Sequence, residues 1–142
     1  MVDKTLILRK LSEIDQYRKQ LSEYSAITIK EYAKDWKVQR IVERTLQMMI
    51  EACLDVAGHI ISDEEFRVPE SYADMMRVLY ENDIINAELE NVMNKMAKFR
   101  NFIVHHYDNG DHAIVISILH KNLNDFEKFK AAIISYLKRK EK

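Results

Sequence analysis

The chain has 142 residues, with 22 basic and 23 acidic side chains and a net charge of −1, which excludes a generally basic nucleic-acid coat but not a local cationic patch. Two glycines and one proline are too few for the many turns of an all-β fold, while 47% apolar residues suffice for one helical core. Cys53 is the only cysteine, so an internal disulfide is excluded and a cysteine-based zinc site is disfavoured.

The N-terminal stretch MVDKTLILRKL carries Asp3 and Lys4 and lacks a long apolar centre, and no apolar run reaches membrane-spanning length. The expectation is therefore a cytoplasmic protein without membrane contact. Residues 4–24 fit a helix with Leu8, Leu11, Ile14 and Leu21 on one side. Residues 28–34 fit a short helical turn, with Thr28 as N-cap and Glu31 three residues on, the pattern of a capping box. Asp35 starts a long helix reaching about Ile61. Its apolar residues, from Val38 and Ile41 to Ala57 and Ile61, cover more than half its circumference. Such a helix lies at the centre of a bundle or faces a partner on its second side.

Pro69 stops this run, Ser71 caps the next element, and residues 72–81 form a short helix. Asn86 opens another helix reaching about Tyr107. The Asp-Asn-Gly-Asp run at 108–111 is a turn. The following stretch, HAIVISIL, has a strand-like composition. However, Val115, Ile116, Leu119, Leu123, Phe126, Ile133 and Leu137 keep to one helical stripe, which predicts helix to the charged C-terminal end. The expectation is a single all-α domain over 1–142: an up-down bundle of four main helices with short extra ones.

The stretch FRNFIVHHY at 99–107 places cationic and titratable groups among apolar ones. At about 100° per residue, Arg100 and Tyr107 fall on the apolar stripe of Leu89, Met93, Met96, Ile103 and Val104. A guanidinium there needs a partner or a water-filled cleft. Glu51 or Asp55, on the polar strip of the long middle helix, can supply the partner. His105 points roughly 140° away from Arg100, on the face of Asn101, while Phe102 and His106 extend in a third direction. Such divergent groups converge most easily in a groove that a second chain closes. His105 and His106 are adjacent and point apart, a poor arrangement for zinc, which prefers i, i+4 spacing along a helix. No metal or cofactor is expected. His59, His112 and His120 are scattered and read as structural or solvated.

The R-x-x-x-x-H-x-Y arrangement of Arg100, His105 and Tyr107, within RNFIVHHY, resembles the signature of the HepT-like branch of the HEPN superfamily. The resemblance covers nearly the whole chain, including the long helix ERTLQMMIEACLDVAGHII before the motif and the amphipathic helix after it. It implies an all-helical homodimer of the toxin of a HepT/MntA-type toxin–antitoxin pair, acting as a metal-independent ribonuclease on tRNA or mRNA. A cognate nucleotidyltransferase antitoxin would silence it by adenylating Tyr107. Arg100 would then bind phosphate and His105 move protons, supported by Asn101, His106, Glu51 and Asp55. Histidine suits proton transfer near neutral pH, and arginine suits bidentate binding of phosphate. The alternative is a non-catalytic module whose cleft binds a nucleotide or the partner protein.

Overall fold

The structure, a computed structural model, describes residues 2–105 and 112–141, without the side chain of His105. The helices begin where side chains cap them. Asp3 accepts the Leu6 amide at 3.1 Å and opens α1, Lys4–Ser22. The Thr28–Glu31 capping box starts α2, Ile29–Lys34. Asp35 takes the Lys37 and Val38 amides and starts α3, Trp36–Asp63. Ser71 caps α4, Tyr72–Glu81, through the Asp74 amide. Asn86 accepts the Leu89 amide at 2.8 Å ahead of α5, Ala87–His105. Each cap satisfies backbone donors that the first helical turn leaves unpaired.

The chain ends in α6, His112–Ser117, a five-residue π turn over Ile118–Asn122, and α7, Leu123–Lys140. The segment HAIVISIL is thus helical as expected, but the π turn interrupts the helix. Leu123 is only half-buried, while Phe129 and Tyr136 join the core with Phe126, Ile133 and Leu137.

The long helices α1, α3, α5 and α7 form a ring in which each packs against its two neighbours. Ion pairs run Lys4 to Glu141 and Asp15 to Lys130, so the start of α1 meets the end of α7. The core is continuous through the ring, with Tyr32, Phe126 and Phe129 its largest fully buried side chains. No strand occurs among the described residues.

Two expectations about faces change. Leu8 is 42% exposed, and Ile7 takes its place beside Leu11, Ile14 and Leu21. The reason is angular: Ile7 lies on the centre line of the other three, while Leu8 lies about 100° further round. In α3, Ile41 is 49% exposed. The wide apolar face of α3 is otherwise covered from within the chain, by α1, α2, α4 and α5. No helix among the described residues is long and apolar enough to cross a membrane.

Candidate functional site

Arg100 comes from the last two turns of α5 and meets Glu51 from the middle of α3. One carboxylate oxygen, Oε2, accepts from Nε at 3.0 Å and from Nη2 at 2.5 Å. Nη1 donates to the Asn101 side-chain oxygen at 3.1 Å. The Tyr72 ring lies beside the same guanidinium, its centroid 5.2 Å from the guanidinium carbon. Glu51 therefore grips the side edge of a half-buried arginine. Two of the five guanidinium N–H groups, one on each terminal nitrogen, keep no partner among the described residues. A cation with two N–H groups to spare is suited to an oxyanion such as a carboxylate or a phosphate.

Arg100 and Asn101 line an open groove of about 640 Å³ with Pro69, Glu70, Ser71, Tyr72 and Met75. The far wall is the loop ahead of α4, and a second arginine fixes it. Arg67 makes a fork–fork pair with Asp74, at 2.8 and 2.9 Å, and reaches Glu81 at 2.7 Å. Asp74 also accepts the Glu70 amide at 2.9 Å. Hydrogen bonds from Arg67, then from that amide, hold the Asp74 carboxyl down at a pKa of about 2. Asn94 of α5 donates to the Ala73 carbonyl at 3.2 Å and ties α4 to α5. A further groove of about 390 Å³ lies between the start of α5 and α7 and contains none of the motif residues.

Of the two carboxylates on the α3 strip, the structure brings Glu51 to Arg100. Asp55 is one turn further on, exposed, and paired with Lys10 of α1 at 3.4 Å. Asn101 contacts Arg100 directly, a neighbour bond that the helical-wheel pairing with His105 did not suggest. His105 closes α5. His106, Tyr107 and the turn at 108–111 lie outside the described residues. Among the other histidines, His112 meets the Tyr32 ring edge-on at 5.2 Å, and His120 lies 2.8 Å from the Ile27 carbonyl through Nε2. Both serve packing. Among the described residues no group of three His, Cys, Asp or Glu side chains is placed to hold a metal ion. Sequence reasoning missed Tyr72 and Arg67, because each acts through a tertiary contact with no local motif.

This ring of long helices is the fold of the HEPN toxins. The chain belongs to the ribonuclease HepT-like family, which matches residues 14–133. It is similar to the mRNA nuclease HepT of Shewanella oneidensis, 33% identical over 99 residues, 70% of this chain and 74% of that protein. The tRNA nuclease HepT of Aphanizomenon flos-aquae is 27% identical over 138 residues, 96% of this chain and 92% of that one. Among solved structures, the tri-AMPylated Shewanella oneidensis HEPN toxin in complex with its MNT antitoxin superposes with a TM-score of 0.84 at 30% identity. That match covers 95% of this chain and 99% of the other.

Proposed function

We propose that this protein is a toxin-type, metal-independent endoribonuclease that acts as a homodimer and is silenced when a cognate nucleotidyltransferase adenylates Tyr107. The observation that carries the reading is Arg100: a half-buried guanidinium at the wall of a groove, held by Glu51 and Asn101, with two N–H groups that have no partner among the described residues. A phosphodiester seated there would receive two N–H bonds, and these would strengthen as charge builds on the phosphoryl oxygens in the transition state.

His105 supplies the proton chemistry. As a base it takes the proton of a ribose 2′-hydroxyl. The freed oxygen attacks phosphorus, the bond to the 5′-oxygen breaks, and an acid protonates that leaving oxygen. The two copies of the motif in a homodimer give one base and one acid across the cleft. Asn101 and His106 orient substrate or imidazole, and Glu51 keeps Arg100 in place. Adenylation of Tyr107 adds a bulky anion that competes with RNA for Arg100.

Cleavage of RNA by purified protein in excess chelator tests the enzyme, and His105→Ala is expected to lower the rate by at least about a hundredfold. Equal rates for His105→Ala and parent would overturn the assignment, and RNA binding without turnover would favour the binding module. After coexpression with a cognate nucleotidyltransferase, peptide mass spectrometry should find adenylate on Tyr107. A modified peptide lacking Tyr107 refutes that site.

A further inference from the structure

We infer that Tyr72 is the stacking platform for one base of the RNA, next to the phosphate held by Arg100. The inference rests on the ribonuclease reading and names a substrate-binding residue for it. Tyr72 is the first residue of α4 and is 44% exposed. It adds nothing to the buried face of that helix, which is made by Ala73, Met76, Val78 and Leu79. Its side chain lines the groove beside Arg100.

The platform is rigid for reasons independent of its own side chain. Ser71 caps the helix, the Arg67–Asp74 pair clamps the preceding loop, and Asn94 holds the Ala73 carbonyl. With the backbone fixed this way, only the ring's own two torsions remain to be ordered when a base stacks on it. Any base has a face to offer, so the contact tolerates many sequences. With 5.2 Å between ring centroid and guanidinium carbon, phosphate and base fall within the span of one nucleotide. A groove of about 640 Å³ lies within the usual range for a ligand of that size. Aromatic ring and arginine edge together make a subsite for one nucleotide unit, in an RNA chain or free.

The test uses short 2′-O-methyl RNA oligonucleotides, which resist cleavage, carrying the fluorescent base 2-aminopurine at successive positions. Parent protein should quench one position. Tyr72→Phe should quench it equally. Tyr72→Leu, which keeps an apolar cover over Arg100, should lose the quench and bind about tenfold or more weakly. Removing the base at that position should cost the parent a similar factor and cost Tyr72→Leu nothing further. Parent-like binding and quenching by Tyr72→Leu overturns the inference while RNA cleavage by the parent leaves the ribonuclease reading standing. An undiminished penalty for base removal in Tyr72→Leu also overturns it, since Tyr72 would then only cover Arg100. Quenching by free 2-aminopurine nucleotide but not by any oligonucleotide overturns the RNA assignment. If the parent neither binds nor cleaves RNA, both readings fall. Thermal melts of each variant show that a loss of binding is not a loss of fold.

Discussion

Arg67 and Arg100 both meet the first turn of α4, through Asp74 and Tyr72, and use their guanidinium edges differently. Arg67 spends both edges on Asp74 and Glu81, a structural clamp. Arg100 spends one edge on Glu51, gives one Nη1 N–H to Asn101, and borders the groove with two N–H groups that have no partner among the described residues. The clamp has a pH signature. The Asp74 carboxyl titrates at about 2 in the folded chain against an ordinary 3.8. A depressed carboxyl contributes stability that is fully present above the ordinary value and is lost as pH falls through the folded one. Asp74→Asn should therefore melt below the parent at neutral pH. The gap between the two should close as pH falls from about 4 to about 2. Melting curves across that range check this, and a gap independent of pH would refute it.

At the scale of elements, α3 and α4 end alike. Glu65 and Asp83 have φ of 56° and 59°, the left-handed region. After α3, the Phe66 amide returns to the Ile61 carbonyl at 3.0 Å and the Glu65 amide to the Ser62 carbonyl at 3.2 Å. After α4, the Ile84 amide meets Leu79 and the Asp83 amide meets Tyr80 in the same way. Both are Schellman caps, usually built on glycine, in a chain with only two glycines. Glu65→Gly should raise stability by roughly 0.5–1 kcal/mol, since relief of the left-handed strain exceeds the entropy glycine adds to the unfolded chain. Chemical denaturation measures it, and a destabilised variant would refute it.

These ends also show what the sequence reveals. The helix starts at Thr28, Asp35, Ser71 and Asn86 were readable because a cap acts on amides two or three residues away. The left-handed ends carried no glycine to announce them. Choosing between Glu51 and Asp55 needed the rotation of α3 against α5. Ile7 rather than Leu8 was legible in the spacing of Leu11, Ile14 and Leu21, whereas Tyr72 needed a contact across 28 positions of chain. Arg100 was legible as a misplaced charge, and its partner only as one of two.

For the whole molecule, the balance of charge governs how it meets a polyanion. The chain carries −1 overall, and the cation at the groove already has a carboxylate against it. RNA binding should depend weakly on salt, with a log–log slope no steeper than about −1.5, corresponding to one or two phosphate contacts. Glu51→Gln removes the internal anion and should steepen the slope by roughly 0.7. Affinity titrations over a salt series check both, and a steep parental slope would point to an extended cationic track instead.

The Glu51–Arg100 pair therefore has a kinetic meaning. A neutral pair casts almost no field beyond contact distance, so it does not draw RNA in from solution. Encounter proceeds at the ordinary pace of diffusion, whatever the sequence that arrives. Discrimination is deferred to the dwell time after touching, when phosphate and base must both be held for the chain to stay. A toxin gated this way would pass over polyanions that merely touch it and act on those that linger.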